Sequence, residues 1–253
     1  MKIGVCCGID RAKQVKDAGY DYIEEHFTRT ARLSDAEFKD LLAKYKEIDI
    51  PVYSTNCFFP GDFDLYNNPP EYFYNYVKTG FERVSKLGVK VCVVGSGKAR
   101  SIPDGADKDV IKDKFVKLVS YIADLAKDYG ITLVIEPLQT AETNFILTVK
   151  DGAEIAKLTG KDNVKALVDF YHFYLNNEND DGLKNADGLL YHAHIARDNV
   201  DRKMPTISDL PIVKKWKALL DEVNYTGNLS LEGHIDFEKD LAPTKEIVWL
   251  FKN

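Results

Sequence analysis

Several marks of familiar protein classes are scarce or missing in this 253-residue chain. Its only cysteines are Cys6, Cys7, Cys57 and Cys92, and no CxxC pair occurs, so neither a zinc knuckle nor a disulfide framework is indicated. No apolar run approaches the about 20 residues that a membrane-spanning helix needs. Lys and Arg number 34 against 40 Asp and Glu, and the net charge of −6 argues against nucleic acid or an anionic membrane as a partner.

No targeting signal is expected from the first residues of this sequence. The segment MKIGVCCGID has too short an apolar run for a signal peptide. Together with cysteines that we interpret as reduced thiols, this predicts a cytoplasmic protein. The content of 45% hydrophobic and 29% charged residues is ordinary for a globular protein, and the length fits one large α/β domain or two small ones.

Short apolar runs recur along the whole chain and predict strands. Several are rich in Val and Ile and nearly continuous, as expected for parallel strands covered on both faces. The eight predicted strands are 2–6, 20–25, 50–55, 89–94, 131–136, 164–169, 191–196 and 228–233.

Amphipathic segments lie between these runs and predict helices. Residues 34–49 open with a capping box, Ser34 and Glu37, and place Phe38 and Leu41 on one helical face. Further helices are predicted at about 9–18, 70–87, 109–130, 148–159, 208–224 and 237–252. Glycines that stand just before a strand are interpreted as helix C-caps, at positions 19, 88, 130, 160 and 227.

Eight alternations of strand and helix in about 250 residues predict a single-domain α/β fold, a (β/α)8 TIM barrel that spans residues 1–253. A doubly wound open sheet is the alternative. Its first strand-to-helix turn needs a glycine-rich fingerprint, which the segment CCGID does not provide.

Four predicted strands carry, at or near their ends, residues that can bind a metal. These are Glu136, Asp169, His194 and Glu232, from the fifth to the eighth strand. In a (β/α)8 barrel such strand ends meet at one rim. Three carboxylates there repel one another unless a cation is present. Oxygen ligands with one imidazole favour a hard or borderline ion, for which Mn²⁺ is our first choice and Mg²⁺ and Co²⁺ are alternatives.

The same segments resemble a known family. EPLQTAETNF (136–145), VDFYH (168–172), HAHIA (192–196), RKMP (202–205) and LSLEGH (229–234) are similar to motifs of the xylose isomerase-like superfamily. The resemblance is strongest to its sugar-phosphate isomerase/epimerase branch, which includes the tagatose and psicose 3-epimerases. It covers the fourth to eighth strands, and the first three match only loosely.

The resemblance implies roles for the strand-end residues that agree with their chemistry. Glu136, Asp169, His194 and Glu232 are expected to hold one divalent metal. Glu136 and Glu232 are also expected to be the catalytic acid/base pair, one on each face of a substrate enediolate held by that metal. Dimers and tetramers are common in the family, so a homodimer or homotetramer is implied.

The resemblance also implies residues that bind the sugar. Glu142 and His172 are expected to contact its hydroxyl and carbonyl groups, and Arg202 matches the position of a substrate-binding arginine. The gap between His194 and Arg202 is longer than in the best-known epimerases, so Arg197 remains a competitor for that role.

The expected reaction is metal-assisted proton transfer on a keto-sugar or sugar phosphate. Proton return to the same carbon makes an epimerase, and return to the neighbouring carbon makes an isomerase. Loss of a β-hydroxyl makes a dehydratase or lyase acting on a keto-sugar or inositol derivative. A non-catalytic sugar-binding barrel is a further alternative. An endonuclease IV-like repair enzyme is disfavoured by five histidines and the net charge of −6.

Overall fold

Eight parallel strands close into a barrel whose strand order follows the chain. The computed structural model describes residues 1–186, 188–197 and 199–252. The strands are β1 Ile3–Cys6, β2 Tyr22–His26, β3 Val52–Asn56, β4 Val91–Val94, β5 Thr132–Ile135, β6 Val164–Asp169, β7 Leu190–Ile195 and β8 Asn228–Leu231. The predicted (β/α)8 barrel is therefore confirmed, and every strand lies where an apolar run predicts it.

Helices cover the outside of the barrel. The α-helices are α1 Ile9–Asp17, α2 Phe27–Arg32, α3 Asp35–Ile48, α4 Tyr74–Leu87, α5 Gly97–Arg100, α6 Lys108–Lys127, α7 Val149–Thr159, α8 Phe170–Leu175, α9 Leu210–Glu222 and α10 Leu241–Val248. Short 3-10 helices lie at Pro70–Phe73, Asp180–Ala186, Ile207–Asp209 and Trp249–Lys252. Among the described residues, no helix is both long and apolar enough to cross a membrane.

Three of these helices, α2, α5 and α8, were not predicted from the sequence. Each has only four to six residues and follows a strand closely. A segment of that length is too short to show helical periodicity. All three lie at the carboxyl ends of strands, where the predicted ligands also lie.

The helix caps follow the sequence signals in part: Gly88 and Gly160 are C-caps, whereas α1 is capped by Ala18 and α6 by Asp128, one and two residues before the predicted glycines. The Ser34 hydroxyl accepts a hydrogen bond from the Glu37 N–H, and the Glu37 carboxylate accepts one from the Ser34 N–H, as predicted. Gly88 ends α4 with a φ of 99°, which glycine adopts without strain. The prediction for Gly227 is wrong. Helix α9 ends at Glu222, and Gly227 is needed because a Cβ there would overlap the backbone oxygen of Tyr191.

The interior of the barrel is apolar on one side and polar on the other. A small buried cluster of strand residues, separate from the main core between strands and helices, consists of Val91, Val93, Val134 and Leu167. Strands β2, β3, β7 and β8 instead contribute buried polar side chains. They include Glu24, Ser54, His192, His194 and Ser230. The polar half of the interior leads up to the rim that carries the predicted ligands.

One asparagine joins the loop after β5 to the end of α8. The Asn176 side-chain N–H₂ donates to the backbone oxygens of Leu138 (3.0 Å) and Leu147 (2.7 Å), while its side-chain oxygen accepts from the N–H of Thr140 (3.1 Å). This loop contains Glu142, and α8 contains His172, so Asn176 sets the position of both relative to the barrel.

We predict that Asn176→Ala lowers the free energy of unfolding by about 1–3 kcal/mol, because partly buried backbone groups lose their partners. Chemical denaturation measures this change. Asn68→Ala is the control, since Asn68 makes an exposed bond to the Asp64 oxygen and its loss should cost less than about 0.5 kcal/mol. Equal losses in the two variants would contradict the role given to Asn176.

Candidate active site

The four predicted metal ligands meet at the carboxyl ends of the strands. Glu136 directly follows β5, Asp169 is the last residue of β6, His194 lies one residue before the end of β7, and Glu232 directly follows β8. Each offers one ligand atom, and these atoms all lie within 4.8 Å of one another. Glu136, Asp169 and His194 are buried, and Glu232 is partly buried. The structure thus brings together the whole predicted set.

The imidazole of His194 lies at the centre of this group. Its Nδ1 atom is 2.8 Å from Glu232 Oε2 and 3.1 Å from Glu136 Oε1. Its other nitrogen, Nε2, is 2.8 Å from Glu24 Oε1, a residue of β2. The ring therefore turns Nδ1 towards the predicted ligand carboxylates and Nε2 towards the barrel interior.

The carboxyl groups perturb one another strongly. Burial raises the pKa of Glu136, and the charge of Glu232 raises it further. Burial also acts to raise the pKa of Glu232, but the charges of His194 and Arg202 outweigh it and lower that pKa. Three carboxylates and one imidazole in this space form a donor set of hard and borderline ligands. The residues present therefore fit one divalent cation.

Arg202 reaches the carboxylates from the loop after β7. Its Nη2 atom is 2.6 Å from Asp169 Oδ2 and 2.8 Å from Glu232 Oε2. The guanidinium group lies over the ring of Tyr171, with 4.7 Å between its central carbon and the ring centroid. The arginine predicted to contact substrate is thus anchored beside two of the predicted ligands.

The competing arginine, Arg197, points to other partners. Its Nε atom is 3.3 Å from Asp209 Oδ2, and its Nη1 atom is 3.8 Å from Asp201 Oδ2. Arg202, and not Arg197, is therefore the arginine that the structure places against the ligand carboxylates.

His172 is buried in α8 with one nitrogen facing the site. Its Nδ1 atom accepts a hydrogen bond of 3.2 Å from the Gln139 N–H, so the ring proton of the neutral form belongs on Nε2. The Nε2 atom lies 3.5 Å from Asp169 Oδ2 and has no hydrogen-bond partner among the residues that the structure describes. A buried donor without a partner beside the ligands suits a contact with a bound molecule.

Glu142 stands at the outer edge of this arrangement. Its Oε1 atom accepts a hydrogen bond of 3.1 Å from the side-chain nitrogen of Gln139 and lies 3.9 Å from His172 Nδ1. The Glu142 side chain is 39% exposed, unlike the predicted metal ligands. It is therefore open to a molecule that enters the mouth of the barrel.

Two residues of the site were not identified from the sequence. Glu24 contacts His194 from within the barrel, and the side-chain nitrogen of Asn56 donates to Glu232 Oε1 at 2.8 Å. A signal for Glu24 was present, because YIEEH places two acidic residues in an otherwise apolar strand. Asn56 ends β3 but carries no charge, so its sequence position alone does not distinguish it from a turn residue.

The chain belongs to the family described as the xylose isomerase-like TIM barrel, whose model matches residues 12–251. This match covers more than half of the chain and confirms the resemblance that the motifs indicate.

The named relatives include an epimerase and an isomerase. The D-psicose 3-epimerase of Agrobacterium fabrum is 35% identical over 118 residues, which cover 46% of this chain and 40% of that protein. The inosose isomerase of Bacillus velezensis is 26% identical over 242 residues, which cover 90% of this chain and 75% of that protein. The chain thus matches less than half the length of the epimerase and about three quarters of the isomerase.

Solved structures share the barrel. A D-psicose 3-epimerase crystallised in the presence of D-fructose superposes with a TM-score of 0.77 at 22% identity and covers 100% of this chain and 97% of that one. The IolI protein with a bound zinc atom has a TM-score of 0.74 at 22% identity and covers 100% and 96% of the two chains. At such identities the likeness establishes the fold.

We predict that Gly95→Ala weakens metal binding by about tenfold or more, because a Cβ at this position would overlap Glu136 Oε2 and displace that carboxylate. The displaced group is the end of a flexible side chain, so the variant should still fold. Titration of metal against a fluorescent chelator measures the affinity.

The control is Gly61→Ala. A Cβ at Gly61 meets only Lys98 Cδ at 3.4 Å, an ordinary van der Waals contact, so metal affinity should not change. Wild-type affinity in Gly95→Ala would show that the Glu136 carboxylate does not need its observed position to bind metal.

Proposed function

We propose that this protein is a metal-dependent epimerase or isomerase that acts on a keto-sugar or a sugar phosphate. The observation that carries the proposal is the convergence of Glu136, Asp169, His194 and Glu232, whose ligand atoms lie within 4.8 Å of one another at the catalytic rim of the barrel. The family and the names of the relatives support it.

In this proposal these four residues hold one divalent cation. Mn²⁺ is our first choice because three of the four donors are carboxylate oxygens, with Mg²⁺ and Co²⁺ as alternatives. Zn²⁺ also tolerates a mixed carboxylate and imidazole set, and the IolI protein of the same fold binds zinc. The bound cation supplies Lewis-acid polarisation of the substrate carbonyl.

Glu136 and Glu232 move the proton. They come from β5 and β8, three strands apart around the barrel, and their carboxylates approach His194 Nδ1 from separate strands. One carboxylate removes the proton from the carbon next to the carbonyl, which leaves an enediolate. The other returns a proton to the opposite face of the same carbon in an epimerase. In an isomerase, the neighbouring carbon receives the proton instead.

His172, Glu142 and Arg202 orient the substrate in the proposed reaction. The unpaired Nε2–H of His172 donates to a substrate oxygen, and the exposed carboxylate of Glu142 accepts from a hydroxyl group. The guanidinium of Arg202 bridges Asp169 and Glu232 through Nη2 and presents its remaining N–H groups to the sugar. These roles place substrate recognition on loops and the short helix α8, and proton transfer on strand ends.

The test is incubation of the Mn²⁺-loaded protein with a panel of ketoses in D₂O. Deuterium at C3 with inverted configuration is the result expected for an epimerase, and deuterium at C1 or C2 is expected for an isomerase. Loss of water would favour the dehydratase alternative. Saturable sugar binding without any exchange would favour a non-catalytic sugar-binding barrel and overturn the proposal.

We predict that Glu136→Gln and Glu232→Gln each lower turnover by a factor of about 10² to 10⁴, because the amide keeps one oxygen but cannot accept the proton. The rates are measured at saturating metal, with the bound metal quantified in each sample. The two variants should also differ in the epimer that they still deprotonate, which appears as deuterium exchange without net conversion.

Glu154→Gln is the control, because Glu154 is an exposed helix residue that pairs with Lys112 and should leave turnover unchanged. A metal-loaded variant at position 136 or 232 with a near-wild-type rate would remove that glutamate from the mechanism.

A further inference from the structure

We propose that Glu24 is a positioning residue that fixes the tautomer of His194 and thereby makes Nδ1 the metal-binding atom. The inference rests on the metal centre of the proposed function and concerns a residue of β2 that lies beneath it. Glu24 has 1% of its surface exposed, so its carboxylate interacts with protein groups and not with solvent.

The carboxylate of Glu24 receives four hydrogen bonds. Its Oε1 atom is 2.8 Å from His194 Nε2. Its Oε2 atom accepts from the hydroxyls of Ser54 and Ser230, each at 2.6 Å, and is 2.8 Å from His192 Nε2. Two oxygens of an ionised carboxylate offer about four acceptor sites, so a single carboxylate is sufficient for four donors.

This arrangement determines where the His194 proton lies. A carboxylate can only accept, so the His194 nitrogen that faces Glu24 must carry the hydrogen. Nδ1 faces carboxylates as well, so both nitrogens carry a hydrogen while no cation is bound. Because the hydrogen on Nε2 stays with Glu24, a cation that binds the imidazole would replace the hydrogen on the other nitrogen, Nδ1. That atom is the one that faces Glu136 and Glu232 at 3.1 and 2.8 Å. The hydrogen bond to Glu24 therefore presents a lone pair to the cation.

Glu24 is held rigidly enough to impose this orientation. Its partners Ser54, His192 and Ser230 belong to β3, β7 and β8, so the carboxylate is bonded to three strands besides its own. The Tyr22 hydroxyl extends the network by a contact of 2.9 Å with Ser230 Oγ. A carboxylate fixed from several sides holds the imidazole without paying for side-chain ordering when the metal binds.

The next residue in the chain provides a matched control. Glu25 is also 1% exposed, but successive strand residues point to opposite faces, and its carboxylate accepts from the Tyr45 hydroxyl at 2.6 Å and from the His26 N–H at 2.8 Å. Glu24→Gln and Glu25→Gln therefore make the same chemical change at equal burial, and only the first alters the partner of His194.

The first experiment measures the affinity for Mn²⁺ and Zn²⁺ by competition with a chelator. Glu24→Gln is expected to weaken binding by about 10- to 100-fold, the usual effect of removing a partner of a ligand histidine, and Glu25→Gln by less than about twofold. Circular dichroism and denaturation of the metal-free variants show whether both are folded.

The second experiment uses two-bond ¹H–¹⁵N spectra of the histidine rings in the Zn²⁺-loaded protein. The wild type should show His194 protonated at Nε2 and metal-bound at Nδ1, a signature that a merely structural role for Glu24 would not alter. In Glu24→Gln the Nε2–H resonance should shift or broaden, because its anionic acceptor is gone.

Each outcome decides between the claims. If the wild type binds no divalent ion, the proposed metal centre fails and this inference fails with it. If the wild type binds metal and Glu24→Gln binds equally tightly, only the inference is overturned. Equal weakening in Glu24→Gln and Glu25→Gln would point to general destabilisation and would also overturn the inference. Spectra that place the metal on Nε2 of His194 would overturn the inference too.

Discussion

The mutual repulsion of carboxylates is the constraint around which this barrel is organised. Parallel strands that end together must place their terminal side chains together, and here three of those side chains are acidic. Water cannot separate them, because two of the three are buried. Positive charge must therefore be supplied locally, and Arg202 does so for Asp169 and Glu232 while His194 does so for Glu136. Without these partners, three carboxylates so close together would be costly to bury in the ionised form.

The two halves of the barrel interior have different roles: the apolar half contributes to stability, and the polar half supports the candidate site. The apolar cluster around Val93 and Leu167 fills one side with side chains that need no partners. The polar side contains groups that are costly to bury unless each one is hydrogen-bonded. Most of them are paired with Glu24, and His192 Nδ1 is left without a partner among the described residues. The buried polar side chains are therefore best explained by their support of His194 and not by a contribution to folding.

The features that could be predicted from the sequence are those with a strong local signal. Continuous apolar runs predicted all eight strands, and the acidic or imidazole residue at the end of a run identified the four residues that the structure brings together. The short helices α2, α5 and α8 were not predicted, because each has fewer than two turns and shows no helical periodicity. Their positions depend on the strand ends that they follow, which is information about the tertiary fold.

Contacts between distant segments could not be predicted from the sequence either, because they also depend on the tertiary fold. Arg197 and Arg202 are similar in type and close in the chain, and only the path of the loop shows which one faces Asp169. Glu24 lies 170 residues from His194, so no local pattern could connect them. The sequence shows that Glu24 is an acidic residue in an apolar strand, but only the closed barrel shows that its carboxylate contacts four side chains.

The network beneath the rim has a consequence for how the sequence can vary. Ser54, His192 and Ser230 each direct a donor at the same carboxylate, so the loss of one donor changes what the others must satisfy. Substitutions at these positions are therefore coupled. If an apolar residue replaces Glu24, the chain is more stable when the residues that donate to Glu24 are replaced as well. Among family members, the side chains at these four positions should change as a set, and the identity of one should indicate the identities of the rest.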